Sequence, residues 1–241
     1  MKLEMHVHTK YSKDSMLCFF PLYIKCRIKS INAIAITEHN NIEGAIKFQE
    51  FCRKMGNKIN VIIGEEIFTD SGEVIGLFLS ENIAPQMTVE ETICEIKRQN
   101  GVVCIPHPYD KKREKTVLKE EAIKRVRKQI DCMEVHNGRN ISKTYDIEQR
   151  EIANKYNIKP IVGSDAHTLI EIGRNYMSFE GEIPLSREQF LKSLDTFEPV
   201  ANECILIAHK ITAIVKIIKL IKEGQFHEVR YRFNERIKRG K

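Results

Sequence analysis

The chain has 241 residues, 42% of them hydrophobic and 30% charged, which suits one α/β domain with a sizeable core. No apolar run reaches the roughly 18 residues of a membrane span. The best stretch, 205–221, is interrupted by Lys210, Lys216 and Lys219, and the charged first strand has no signal-peptide pattern, so a cytoplasmic protein with no membrane partner is expected.

Short β-like runs at 2–7, 33–37, 60–68, 73–79, 102–105, 131–135, 160–163 and 176–180 alternate with helical patterns. Pro21 can open the first helix from its first turn. Ile42, Ala45, Ile46, Cys52 and Met55 recur at helical spacing, with Gly56 as a stop. Asp70-Ser71-Gly72 reads as a hairpin turn between 60–68 and 73–79. Thr88-x-x-Glu91 is a capping box and Gly101 a C-cap, bracketing a helix over 89–100. Helices also fit 116–128 and 143–157; after residue 182 the strands cease, Ser186-x-x-Gln189 opens a helix, and 203–222 and 226–238 read as helical. The alternation predicts a barrel-like or doubly wound sheet over 1–182 and a helical extension over 183–241 packed on it. The stripe Ile207, Ile211, Ile214, Ile218 and Ile221 is the face expected to pack on the barrel.

The seven cysteines have no CxxC spacing and fall mostly in apolar segments, so they read as small core hydrophobes. The net charge of +6 is uneven: 111–128 carries nine Lys/Arg against three Glu, 210–241 carries ten against three, and the remaining body is mildly acidic. Basic segments of this density are solvated helix faces or surfaces for phosphates and nucleic acid.

Six of the eight histidines (His6, His8, His39, His107, His136 and His167) sit where a predicted strand meets its following loop. In parallel α/β folds, sites are built at these strand ends. In His6-Val7-His8 the two imidazoles lie two apart on a strand and share a face, as metal ligands do. Carboxylates accompany them: Asp14, Glu38, Glu66, Glu134 and Asp165. His/carboxylate shells without thiolate suit manganese, iron or zinc.

The tracts His6-Val7-His8-Thr9, Thr37-Glu38-His39-Asn40, Gly64-Glu65-Glu66-Ile67, Pro106-His107-Pro108, Glu134-Val135-His136-Asn137 and Gly163-Ser164-Asp165-Ala166-His167 resemble the PHP (polymerase and histidinol phosphatase) family, in that family's order and over about residues 1–180. The resemblance implies a distorted seven-stranded β/α barrel with two to three divalent cations at its mouth. It further implies a first metal on His6, His8, Glu66 and Asp165, a second on Glu66, His107 and His136, and a third on Asp14, His39 and His167. The choice between Glu134 and His136 stays open, since strand alternation puts both on one face, and His136 is the one favoured. Glu4 and Glu38 stand where the family has Asp and are expected to orient His6 and His39; Ser15 replaces a Gly, and Glu73, where some members carry His, is not assigned as a ligand.

The expected activity is metal-dependent hydrolysis of a phosphomonoester or phosphodiester through a metal-activated water, with Glu66, Asp165, His39 and His167 as catalytic residues. Arg139, then Lys10 and Arg174, are the expected phosphate-binding cations. The substrate is a phosphorylated small molecule or a short oligonucleotide; the basic 111–128 segment beside His107, with Tyr109 as a stacking surface, points to 5′–3′ exonuclease action on the latter. A metal-stabilised structural or interaction module without turnover is the reading from outside enzymology.

Overall fold

The computed structural model describes residues 1–110, 113 and 116–231. Nine strands form one nearly closed sheet: β1 (Lys2–Val7), β2 (Ala33–His39), β3 (Asn60–Thr69), β4 (Gly72–Leu77), β5 (Val102–Ile105), β6 (Cys132–Asn137), β7 (Lys159–Gly163), β8 (Tyr176–Ser178) and β9 (Glu198–Val200). The order is β7-β6-β5-β4-β3-β2-β1-β8-β9, parallel except around β4 and through the β8–β9 edge. A bridge between Val7 and Ala166 draws the end of β1 onto the segment after β7 and brings the two sides of the sheet together at the mouth.

Among the described residues, the helices bounded at both ends are α1 (Phe19–Ile28), α2 (Glu43–Lys54), α3 (Val89–Arg98), α4 (Glu120–Val126), α5 (Lys143–Tyr156), α6 (Arg187–Ser193) and α7 (Leu206–Lys222), and residues 226–231 are helical as well. Both capping boxes form: Thr88 accepts from the Glu91 amide and Ser186 from the Gln189 amide, each reciprocated by the acidic or amide side chain. The helix expected over 116–128 is shorter, ending in a 3-10 turn at Arg127–Gln129. Residues 232–238 of the last expected helix, and Lys111, Lys112 and Lys115 of the basic segment, lie outside the described residues.

Strand alternation separates two cores. Leu3, Met5, Ala33, Ala35, Ile62, Ile75, Cys104, Cys132 and Ile161 fill the barrel interior. Ile34, Ile36, Ile67, Met133 and Val135 point outward, under helices that contribute Phe48, Ile93 and Ile152. Burying a side chain such as Phe48, fully enclosed, stabilises the fold by about 1.5–3 kcal/mol. The four fully or nearly fully buried cysteines, Cys26, Cys52, Cys104 and Cys132, are unpaired core residues, and no cysteine forms a disulfide.

Three expectations differ from the structure. The sheet has nine strands where the resemblance implied seven, and strands do not cease at 182: β9 pairs antiparallel with β8, so 198–200 belongs to the barrel sheet. Its sequence, Glu-Pro-Val, is too short for a periodic signal, and Pro is tolerated because the strand lies at the edge. The isoleucine stripe of α7 also faces outward. Ile207, Ile214 and Ile221 are exposed, while Ala208, Thr212 and Val215 are the buried face.

Candidate metal centre

β2 shows how the sheet aims its side chains. Ala33 and Ala35 point into the barrel, so Thr37 and His39 follow them inward, while Ile34, Ile36 and Glu38 point out. On β3 the inward series is Ile62, Gly64, Glu66 and Phe68; on β4, Glu73 lies opposite Phe68. Glu66, His39 and Glu73 therefore meet on one inner surface.

β1 breaks this rule. Leu3 and Met5 are inside, so plain alternation would send His6 and His8 outside. Instead the register shifts between Glu4 and Val7, with His6 in the left-handed region at φ 62°. The inserted residue turns His6 and His8 inward while Val7 packs outside. His107 (φ 28°) and Asp165 (φ 50°) also hold positive φ, costly for non-glycine residues, where their side chains converge on the cluster.

The result is a tight, almost fully buried cluster. His6 Nε2 lies 3.4 Å from Glu66 Oε1 and 3.7 Å from Asp165 Oδ1, and His8 Nε2 lies 3.4 Å from Glu66 Oε2 and 3.6 Å from Asp165 Oδ1. His107 Nε2 sits 3.0 Å from Glu66 Oε1, and His39 Nδ1 2.9 Å from Glu66 Oε2. Asp14 Oδ1 is 3.2 Å from His167 Nε2 and 3.5 Å from His39 Nε2. The potential ligand atoms fall into four overlapping groups: His6/His8/Asp165, His6/Glu66/His107, His8/His39/His167 and His39/Glu66/Glu73.

The donor atoms fit divalent cations. His6 Nε2, His8 Nε2, Glu66 Oε2 and Asp165 Oδ1 are buried without a hydrogen-bond partner among the described residues. A buried polar atom left alone costs free energy. Separations near 3.4–3.7 Å are what two ligands on one cation show when each bond is about 2.0–2.2 Å.

Electrostatics agrees. Burial opposes charge on His6, yet Glu134, Glu66 and Asp165 outweigh it and hold the imidazole well above its usual range. Burial likewise opposes ionisation of Glu66 and Asp165; His6 and His39 for the first, and Arg113 and His6 for the second, keep both well below theirs. Glu73, buried and beside the Glu66 charge, is pushed up to about 7. Cations at this cluster would relieve the crowding of carboxylates.

Neighbouring groups orient the ligands. Glu134 Oε1 holds His6 Nδ1 at 2.7 Å while its other oxygen accepts from the His107 amide and from Asn137. A Cβ on Gly163 would collide with this carboxylate, so only glycine fits there. Glu38 accepts from Thr9 and from Ser12 Oγ, and Ser12 in turn meets His8 Nδ1 at 3.0 Å. Gly44 leaves the space for that carboxylate. Both expectations for orienting acids are thus corrected. Glu38 points away from the His39 ring and acts through Ser12, whose Oγ meets His8 Nδ1 and accepts from the His39 amide, and Glu4 accepts from the Gly173 amide instead of orienting His6. Burial raises Glu4 to about 8.

His136 is not brought to the cluster. A register shift between Glu134 and His136 turns its ring to the outer face, opposite Val162, where Nδ1 meets Asp146 at 2.8 Å and Nε2 meets Asn175 at 3.2 Å. Glu134 stays inside. The face that alternation assigned to both is split by one extra residue.

The expected phosphate-binding cations fare differently. Arg139 lines the mouth cavity, but its Nε is 2.8 Å from Glu171 and its Nη2 donates to Thr212, so two of its donors are spent on structure. Lys10 lies over Tyr11 and Phe19, and Arg174 donates to the Glu203 carbonyl; neither lines the cavity. Arg113, not singled out by the sequence, donates to Asp165 Oδ2 at 2.5 Å and to Asp110 and does line it. Of the basic 111–128 segment, Arg125 pairs with Glu90 on exposed surface, and Tyr109 packs against the outer core. Glu73, not assigned as a ligand from the sequence, joins His39 and Glu66: counting outward from the turn at 70–72 places it opposite Phe68, one step from Glu66 on the same face.

No described helix is long and apolar enough to cross a membrane. Among known proteins, one of Methanocaldococcus jannaschii with no characterised activity is 33% identical over 202 residues, covering 80% of this chain and 79% of its own. A second from the same organism is 40% identical over 119 residues, 45% of this chain and 68% of its own. Of solved structures, a two-domain protein of Bacteroides vulgatus containing a predicted PHP-like metal-dependent phosphoesterase superposes with TM-score 0.66 at 21% identity, over 84% of this chain; the chain spans 65% of that protein. An amidohydrolase of Chromobacterium violaceum superposes with TM-score 0.60 at 15% identity, over 84% of this chain and 99% of its own. These two likenesses describe the fold. The PHP domain model matches residues 4–240, nearly the whole sequence including β9 and α7, and the chain belongs to the PHP domain family.

Proposed function

We propose that this protein hydrolyses a phosphate ester bond at a multinuclear centre of two to three divalent cations held by His6, His8, Asp14, His39, Glu66, Glu73, His107, Asp165 and His167. The observation carrying this reading is the set of four orphaned, buried donor atoms facing one another across Glu66 and Asp165. The donor set has no thiolate, which fits manganese, iron or zinc.

Such cations supply charge for phosphoryl oxygens and acidify water near pH 7. The chain's own residues do the rest. Glu134 on Nδ1 and Ser12 on Nδ1 fix His6 and His8 so that each offers Nε2. Glu66 presents one oxygen to His6 and His107 and the other to His8 and His39, the disposition of a bridging carboxylate. Arg113 and Arg139 both stand at the cavity wall, Arg113 paired with Asp165 and Asp110 and Arg139 with Glu171 and Thr212, so each meets a phosphate only with the donors these contacts leave over. His39 and His167 share Asp14 and line the same cavity, so in a centre of two cations, with none on this pair, they stand where a proton could pass to a departing oxygen.

A cavity of about 760 Å³, walled on one side by Leu206, His209, Lys210 and Lys216 of α7, favours a phosphorylated small molecule. The oligonucleotide reading is the less favoured, since Arg125 is paired with Glu90 and Tyr109 is partly buried against the outer core. The test is hydrolysis of an aryl phosphate and a bis-aryl phosphate by protein loaded in turn with manganese, iron and zinc. Turnover of either ester supports the reading; none with any metal contradicts it.

A further inference from the structure

α7 is pinned across the mouth. Arg139 donates to Thr212 at 2.6 Å, His209 Nε2 lies 3.2 Å from the Arg139 carbonyl, and Lys219 donates to the carbonyls of Lys10 and Ser12 at 2.7 and 2.5 Å. Two other lysines of the helix, Lys210 and Lys216, are thereby fixed on the cavity wall, about 9 Å apart along the axis, with Lys13 lining the same cavity. Arg113 and Arg139 there are committed to Asp110, Asp165 and Glu171. Lys216 only leans on Asp14 at 3.7 Å, and among the described residues Lys13 and Lys210 have no acidic partner. A cavity of about 760 Å³ also has room for far more than one phosphoryl group.

Building on the phosphoesterase reading, we propose that α7 supplies a second anion site. The substrate is a small phosphate ester carrying another negative group, phosphate or carboxylate, gripped by Lys210, Lys216 and Lys13 while its scissile phosphoryl group faces the cluster. Ammonium groups without internal partners gain more from such an anion than the paired arginines do.

The experiment is calorimetric titration of manganese-loaded protein with three inert probes: butylphosphonate, 4-phosphonobutanoate and butane-1,4-bisphosphonate. The second anion should tighten binding at least about tenfold over butylphosphonate, as a charge-assisted contact does. A gain for the carboxylate probe identifies a carboxylate-bearing substrate, and a gain for the bisphosphonate alone a second phosphate. That preference should shrink to about threefold or less in Lys13→Ala/Lys210→Ala and persist in Lys210→Arg; raising the salt should also erode it. Three probes binding equally, or a preference surviving the double variant, overturns the proposal. Aryl phosphate hydrolysis without the preference removes the anion site and leaves the phosphoesterase reading intact, whereas the preference without turnover does the reverse.

Discussion

β1 and β6 each carry a histidine at the C-terminal end of a parallel strand, and each suffers a one-residue register shift there, with opposite outcomes. In β1 the shift brings His6 and His8 in from the face alternation would give them; in β6 it takes His136 out and leaves Glu134 inside. Residue type and strand position are therefore equal at the two ends. What differs is where an extra residue falls in the ladder, and that decides which histidine joins the buried cluster.

The largest effects should come from the β1 side. Asp165→Ala or His8→Ala should lower aryl phosphate turnover by more than the roughly hundredfold of losing a supporting contact, while His136→Ala retains most of it, measured as kcat/KM at saturating manganese. Comparable losses in all three would erase the distinction between the two strand ends. Next comes Glu134→Gln, which keeps the shape but weakens the charge on His6 Nδ1; manganese affinity should fall about 10–100-fold, against little change in Asp146→Asn, by competition with a fluorescent chelator.

This contrast also marks what the sequence could tell. Alternation and capping boxes located eight of the nine strands and both box-capped helix starts, because these depend on neighbours along the chain. Of the residues the ordered motifs singled out, His6, His8, His39, Glu66, His107, Asp165 and His167 come together, because each sits at a strand's mouth end. The two bulges have no local signature. His6 at φ 62° follows from how β1 must meet both β2 and the 164–166 segment, a long-range demand. Glu38 was misassigned for a simpler reason: neighbours on a strand point apart. The α7 contacts to Arg139, Asp14 and the Ser12 carbonyl join residues about two hundred or fewer positions apart in sequence, beyond any pattern reading.

Smaller effects sharpen the picture further. Gly163→Ala forces a methyl into the Glu134 carboxylate and should cost about 1–3 kcal/mol, seen as a lower denaturant midpoint together with weaker manganese binding. Full stability would mean that Glu134 is free to move. Smallest is Thr212→Ala, which removes one acceptor for Arg139 and should cost about 1 kcal/mol by chemical denaturation with the same fold.

The central claim is that cations sit where His6, His8, Glu66 and Asp165 converge. Anomalous diffraction at the manganese edge, from crystals grown with manganese, addresses it most directly. At least one peak is expected within bonding distance of His6 Nε2, His8 Nε2, Glu66 and Asp165, with a neighbour across Glu66 toward His107 or His39 and no density on His136. A peak at His136 with Asp146, or none at Glu66, would contradict it.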